Sequence, residues 1–448
     1  MAQHTVSKFS GSLRLRHFSH FLIIAIPLLL FSKPIWWQSR HIFLGPPSFH
    51  HLAAHCANVP PISSSEFRQR QIALAHALHS LNASAYIAEP GPSTLFFANV
   101  SGSDWRLSER PLLLVVTPRS VDGDITAHVS IVTPAFEATR ARHSLPIAAD
   151  DVVFAEWEED ADPYTVAVST LAAGSGGDGC VFVDGAVRKF IADGLADAAP
   201  KSKVLSAPLV IRQLRERKSA TEIDIMRCVN EVTLLAIRSV REHMYIGIRE
   251  SQVSRMMQSA LTSANVVGGG CLVLFGENAA LPHGGGTDRI LRKTDMALFD
   301  CGGSLHGYHS DISRTIALPA STISSDHLKI WYTVHTAQKA ASIAARSGAI
   351  TREVDAAARH LIDKMGYGDY FTHRLGHGIG LEGHEAPYLR GGSDDIIQTG
   401  HAFSNEPGIY IEGDVGVRLE DTFYIDNDGS SVFFTEGVGG PAISPWKP

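Results

Sequence analysis

Five candidate metal ligands, Asp300, Asp311, His377, Glu406 and Glu420, are spread over the last third of the chain, each in a short stretch suited to that role. They constrain the fold, because segments far apart in sequence have to converge on one cluster. Four carboxylates and one imidazole carry too much negative charge to bury together without a cation. A set rich in oxygen, poor in nitrogen and free of sulfur favours hard or borderline divalent ions such as Mn2+, Co2+ or Zn2+. Five protein ligands exceed what one catalytic ion takes while keeping a position open. Two ions bridged by carboxylates fit the count, and a pair of ions implies metal-assisted hydrolysis.

The first piece is ALFDCGGSLHGYHSDISRTI, in which Asp300 and Asp311 stand eleven positions apart. Met296 to Asp300 reads as a strand, Gly302-Gly303 as its turn, and Asp311 lies on the returning strand. Hairpin pairing brings both carboxylates to one face. Two aspartates could instead cap loops, but Asp311 lies among β-prone residues in mid-strand, where an unpaired carboxylate is costly. In the second piece, THRLGHGIGLEGHEAP, His373, His377 and His384 are interleaved with Gly376, Gly378, Gly380 and Gly383. Glycines permit unusual backbone angles and close approach. Glu385 follows His384 with no histidine three later, so a helical HExxH zinc site is excluded. In the third piece, FSNEPGIYIEGDVGVRLEDTFYI, Glu406 precedes a Pro-Gly turn, and alternation puts Arg418 and Glu420 on one strand face.

The rest of the chain sets the context. Its 448 residues suffice for two or three domains. A formal charge of −7 offers no basic footprint, which sets nucleic-acid binding aside. Five cysteines lie far apart with no CxxC, which removes zinc ribbons and thioredoxin-type sites. Alternation turns Cys301 away from Asp300, as a small core residue, and one disulfide is left open. At the amino terminus, Lys8, Arg14 and Arg16 precede an apolar run from Phe21 to Phe31. A basic lead before an apolar core reads as a targeting segment. No A-x-A site follows, so an uncleaved single-pass signal anchor is expected, with a cleaved signal peptide as the alternative. The body then lies in the lumen or outside the cell, either membrane-attached or secreted. There the sequons Asn82-Ala83-Ser84 and Asn99-Val100-Ser101 would be usable.

The chain therefore divides into a tail and signal segment at 1–40, a Pro-, Ser- and His-rich linker at 41–65, an α/β domain at 66–208 and a larger domain at 209–448. In the first domain, helical periodicity over Phe67–Leu81 alternates with strands at Pro111–Thr117, Ala127–Val132 and Val181–Asp184. In the second, Ser219-Ala-Thr-Glu222 is a capping box opening a helix to about His243. Further helices follow at Glu250–Ser263, from Ser324 and at Thr351–Met365. Helix pairs alternating with antiparallel strand pairs argue for an α+β fold, and two halves of similar size hint at a duplicated plan.

Together these pieces resemble the pita-bread metallopeptidases, in the branch of Xaa-Pro aminopeptidases and prolidases. The resemblance covers the carboxy-terminal domain, and FANVSGSDWRLSERPLLLVV is similar to part of that branch's amino-terminal domain. It implies a pita-bread catalytic domain behind a creatinase/prolidase-type α/β domain. It implies Asp300 as chelating ligand of one metal, Asp311 and Glu420 as bridging carboxylates, and His377 and Glu406 as ligands of the other. It also implies a substrate-side His283, a His384 that contacts the scissile carbonyl, and further pocket positions at His373 and Arg418. The expected reaction is hydrolysis of the peptide bond preceding proline, in proline-containing peptides or dipeptides, with two divalent ions, Mn2+ first and Co2+ or Zn2+ next. Glu406 is expected to carry the proton to the leaving nitrogen, and the resemblance implies a homodimer. Two other readings compete: a non-catalytic binding protein that kept the fold, and a hydrolase of a non-peptide C–N bond. Relatives of those kinds usually lack or do not need the ligands that this chain retains.

Overall fold

The structure, a computed structural model, describes residues 47–171 and 179–448. The expected signal segment at 1–40 and the start of the expected linker lie outside the described residues. From Pro47 onward the chain is folded. Phe49 and Leu52 are buried, a short 3-10 turn spans His50–Ala54, and Cys56 is disulfide-bonded to Cys228. The stretch expected to be a linker is therefore packed from residue 47. Two apolar side chains and a covalent tether outweigh its polar, proline-rich composition.

The first layer comprises α1 (Ser64–Ser80), β1 (Ala83–Ala88), α2 (Pro92–Ala98), β2 (Leu113–Val121), β3 (Asp124–Pro134), α3 (Ala138–Ser144), β4 (Val153–Trp157), α4 (Pro163–Ser169), β5 (Cys180–Val183), α5 (Lys189–Ala198) and β6 (Lys203–Ser206). The strands form a mixed sheet in the order β4-β3-β2-β1-β5-β6. Alternation along the strands serves two cores. Tyr86, Leu114 and Val116 pack with Leu74 and Leu78 of α1 on one face. Ala85, Ile87, Leu113 and Val115 pack with Ile191 and Leu195 of α5 on the other. Both faces are covered, so β1 reads as an unbroken buried run and not as an alternating one.

The second part begins with α6 (Leu209–Glu216), α7 (Ala220–Glu242) and α8 (Glu250–Ser263), followed by β7 (Val267–Phe275), β8 (Ala297–Leu305) and β9 (Tyr308–Ile316). Ser219 and Glu222 form the expected capping box of α7. Next come α9 (Ser325–Ala344), α10 (Thr351–Lys364), β10 (Gly376–Gly378), β11 (Glu385–Leu389), β12 (Ala402–Asn405), β13 (Gly408–Ile411), β14 (Val415–Arg418), β15 (Asp421–Ile425) and β16 (Ser431–Phe433). Strands β7-β8-β9 form one sheet, β11-β10-β12-β15-β16 a second, and β13-β14 a separate ribbon. The α7 and α8 pair covers the first sheet through Val232, Ile237, Val253 and Met257, which meet Phe299 and Ile312. The α9 and α10 pair covers the second through Trp331, Val354 and Ile362, which meet Phe403 and Phe423. Each half is thus a helix pair on a sheet, an α+β plan with the two sheets meeting where Ser313 bridges to Glu420.

Two local expectations are corrected. Gly302-Gly303 is not the turn between β8 and β9. The strand runs on to Leu305, and His306 (φ 50°) and Gly307 (φ 85°) make the turn. Both residues are left-handed, which suits a two-residue hairpin. Cys301 does face the core, away from Asp300, but it is paired with Cys271 directly across the strands.

A carboxylate cluster between two sheets

The β8–β9 register sets Asp300 opposite Ser313 and Gly302 opposite Asp311, so the two aspartates share a face. Glu420 reaches the same place from the segment between β14 and β15, its amide donating to the Ser313 carbonyl at 3.0 Å. His377 comes from β10, which runs between β11 and β12. The glycines beside it have a steric cause. A Cβ on Gly376 would collide with the Ser404 carbonyl, and one on Gly378 with the carbonyls of Glu385 and Ala386. Glu406 follows β12 immediately and breaks the strand at Pro407.

All five side chains converge. Ligand atoms of Asp300, Asp311 and Glu420 lie within 4.8 Å of one another, as do those of His377, Glu406 and Glu420. Glu420 belongs to both groups, and Asp311 also forms a group with His377 and His384. His377 is 1% exposed and Glu420 2%. The Nδ1 of His377 lies 3.1 Å from the Gly378 carbonyl. A carbonyl can only accept, so Nδ1 carries the proton and Nε2 turns a lone pair toward the carboxylates. That Nε2 is 3.3 Å from Glu406 and 3.7 Å from Asp311, with hydrogen-bond geometry to neither. Glu420 Oε1 is likewise buried without a partner among the described residues.

The electrostatics point the same way. Burial, then the neighbouring Asp300 and Glu406, push the Asp311 carboxyl well above its ordinary range. Burial, then Asp311, Glu406 and Asp300, do the same to Glu420. Burial also acts to raise Glu406, but His377, His373 and Arg418 outweigh it and hold the group below its ordinary value. Two unpartnered buried ligand atoms amid crowded carboxylates are what a divalent cation would resolve. The residues present therefore fit the metal ions that the donor set implies.

The neighbours divide into free groups and committed ones. Arg418 spends its donors on the protein: Nη2 to Asp300 at 2.6 Å, Nε to Ser313 at 3.0 Å and Nη1 to the Tyr410 hydroxyl at 3.1 Å. Tyr410 stands 2.9 Å from His373 Nε2, and His373 Nδ1 stands 2.7 Å from the Arg374 carbonyl. Both nitrogens of His373 are thus engaged, and the chain Arg418–Tyr410–His373 braces the cavity wall. His384 differs. Arg374 donates to its Nδ1 at 3.3 Å, which leaves Nε2–H as a donor. Burial, then His377 and Arg374 beside it, lower its pKa to about 4, so the ring is neutral near pH 7.

The five candidate ligands, His373, His384 and Arg418 line one cavity of about 800 Å3, together with His283, Arg374 and Arg390. His283 is exposed on the loop between β7 and β8. That loop is tied at both ends by Glu250, at the start of α8. Its Oε1 accepts from the Phe275 amide and Asn278 Nδ2, both at 2.8 Å. Its Oε2 accepts from the amides of Thr287 at 3.3 Å and Arg289 at 2.9 Å. Sequence reasoning missed Tyr410, Ser313, Arg374, Arg390 and Glu250. Arg390, beyond the glycine-rich run, was the most legible of them, as a cation one strand away from His384.

Helix-covered sheets that meet on a buried, carboxylate-rich cluster fit a metal-dependent hydrolase. The profile of metallopeptidase family M24 matches residues 224–427. An uncharacterized peptidase of Schizosaccharomyces pombe is 38% identical over 366 residues, 80% of this chain and 79% of the relative. A Xaa-Pro dipeptidase of Lactobacillus delbrueckii is 38% identical over 227 residues, 50% of this chain and 61% of the relative. The crystal structure of dipeptidase PepE from Mycobacterium ulcerans superposes with a TM-score of 0.74 at 30% identity, covering 84% of this chain and 97% of that one. The chain belongs to metallopeptidase family M24, whose pita-bread fold it shares.

Proposed function

We propose that this metallopeptidase holds two divalent ions, Mn2+ foremost, and hydrolyses the bond before proline in Xaa-Pro dipeptides, releasing the amino-terminal residue. The observation that carries the reading is the sharing of Glu420 between the Asp300–Asp311 group and the His377–Glu406 group. A carboxylate common to two ligand sets is the arrangement that a pair of adjacent ions needs. Bound there, such ions supply Lewis acidity and a water made nucleophilic near neutral pH. The chain's own residues do the rest. Neutral His384 directs its Nε2–H into the cavity, where it stabilises the oxygen that gains charge as the carbonyl is attacked. Glu406 accepts the water proton and returns it to the proline nitrogen as the bond breaks. His283, which lines the same cavity, helps to place the substrate.

The preference for dipeptides rests on Arg374 and Arg390. Their guanidinium groups stand 5.0 and 5.5 Å from the ring centre of Tyr388 and line the same cavity as the carboxylates. Two cations there suit a substrate α-carboxylate, which a dipeptide presents next to the scissile bond and a longer peptide does not. The dipeptidase names of two similar proteins support this reading. The assembly proposed is a homodimer.

The compartment proposed is luminal or extracellular, with the amino-terminal apolar segment as anchor or signal. Its support is the pair of disulfides, Cys56–Cys228 and Cys271–Cys301, which persist in oxidising compartments. Among the described residues no helix is long and apolar enough to cross a membrane.

The test is to strip the protein with chelator, reload it with Mn2+, Co2+ or Zn2+, and assay Gly-Pro, Xaa-Pro-Xaa tripeptides and a non-proline dipeptide. Metal-dependent cleavage of Gly-Pro, with tripeptides cleaved far more slowly, is expected. Asp311→Asn should abolish both metal uptake and hydrolysis. Full activity in that variant would refute the proposed centre, and equal rates on tripeptides would refute the carboxylate argument.

A further inference from the structure

The fold separates the two sequons, which the sequence alone leaves equivalent. Each asparagine occupies a left-handed position, Asn82 at φ 52° and Asn99 at φ 60°, where asparagine is better tolerated than most residues. Backbone conformation therefore accounts for both asparagines and does not discriminate between them. Their side chains do. Asn99 caps the carboxyl end of α2, is half-buried, and donates from Nδ2 to the Pro146 carbonyl at 2.9 Å. It also lines a cavity of about 400 Å3 with Pro61, Phe67 and Leu381. A sugar on that nitrogen would have to displace the Pro146 contact. Asn82 forms the tip of the turn between α1 and β1. Its side chain is exposed, makes no hydrogen bond to any described residue, and follows exposed Ser80 and Leu81.

We propose that Asn82 carries an N-linked oligosaccharide and that Asn99 does not. In the transfer, Asn82 Nδ2 loses a proton and forms a bond to the anomeric carbon of a lipid-pyrophosphate-linked oligosaccharide. The bond from that carbon to phosphate breaks, and the lipid pyrophosphate leaves with the electron pair. Ser84, the hydroxyl of the sequon, is only 8% exposed in β1, so transfer precedes closure of the sheet. Asn82 is absent from the lining of the metal cavity, so the glycan leaves catalysis alone and covers the end of the amino-terminal sheet.

The inference rests on the luminal or extracellular placement proposed above, and one experiment separates the two. The full chain, tagged at its carboxyl end, is expressed in a eukaryotic cell, and microsomes are treated with protease. The protein is then digested with an N-glycosidase in heavy-oxygen water and mapped by mass spectrometry. The expected result is a protease-protected tag, one discrete mobility shift, and a labelled aspartate at position 82 only. Ser84→Ala should abolish the shift and keep full peptidase activity, since it removes the sequon without touching the turn. Asn82→Asp should do the same while retaining a residue suited to the left-handed position. A protected but unshifted chain overturns the glycan and leaves the placement standing. A digested tag overturns the placement and the glycan with it. Label at Asn99 overturns the structural discrimination.

Discussion

Glu250→Gln isolates how the substrate-side loop is held. The Glu250 carboxylate is 4% exposed and accepts four hydrogen bonds, two on each oxygen. Those donors bracket residues 275–289, the segment that carries His283. A carboxamide can match two of the four, and its NH2 group must then face two N–H donors whichever way it is flipped. Hydrogen bonds to charged groups contribute about 1.5–3 kcal/mol each, so losing two removes about 3–6 kcal/mol from the closed loop. A loosened loop deprives catalysis of His283, and the loss cannot exceed that of removing the imidazole outright. Steady-state kinetics on Gly-Pro should show kcat/KM falling at least about tenfold, equivalent to ~1.4 kcal/mol. Metal content should be unchanged, because the ligands come from other elements. In a His283→Ala background, Glu250→Gln should have almost no further effect, since residues acting through one group are non-additive. Unchanged activity in Glu250→Gln, or the same fold loss in both backgrounds, would refute the argument that Glu250 acts by positioning His283.

Other parts of the structure yield further expectations. Arg314 and Asp421 form a fully buried ion pair at 2.7 Å, and Arg314 also donates to the Glu420 carbonyl at 2.7 Å. Arg314→Met should cost about 3–5 kcal/mol, as for one member of a buried pair. At about 2–4 °C per kcal/mol that is roughly 6–20 °C in Tm, and a calorimetric loss under 2 °C would contradict it. His401 is buried, and burial with Lys218 and Arg217 nearby lowers its pKa from 6.5 to about 4. The ring is neutral in both states above pH 6.5, but below that only the unfolded chain takes up the proton. Stability from this group should therefore fall by up to about 3 kcal/mol between pH 6.5 and 4. Urea midpoints against pH should flatten in His401→Gln, and an equally steep profile would exclude this histidine as the cause. Cys56–Cys228 closes a sequence separation of 172 residues. Removing it with Cys56→Ser and Cys228→Ser should lower stability by about 5 kcal/mol on the chain-entropy model. A thermal transition identical to that of the parent protein would show that the tether adds nothing.

What the sequence disclosed and what it hid differ in physical origin. Asp311 was legible because a carboxylate in mid-strand is costly unless something compensates it, and that cost is local, whereas Glu406 and Glu420, each readable alone as a solvated surface charge, were legible only in company with the other ligands. The β8–β9 turn was misplaced because Gly302 and Gly303 are glycines for a non-local reason. A Cβ on Gly303 would collide with Val266 and approach Gly269, residues contributed by the neighbouring β7 segment. The same glycine-rich β7 hid the Cys271–Cys301 pair, since only the strand register sets those two residues opposite each other. Tyr410 carries no motif. The β13–β14 pairing of Gly408 with Arg418 turns an ordinary tyrosine into the link between Arg418 and His373. That link alters how the histidines divide their work. His373, with both nitrogens spent, holds Arg418 against Asp300, whereas His384, with one nitrogen free and its proton affinity depressed, can serve the substrate. Three histidines that look alike in THRLGHGIGLEGH thus stand in three settings: His373 with both nitrogens engaged, His377 with Nε2 turned to the carboxylates and His384 with one nitrogen free, which suit the proposed roles of bracing the wall, holding metal and meeting the substrate. Those roles follow from which ring nitrogen each carbonyl, hydroxyl or guanidinium group engages, and that is decided by tertiary contacts.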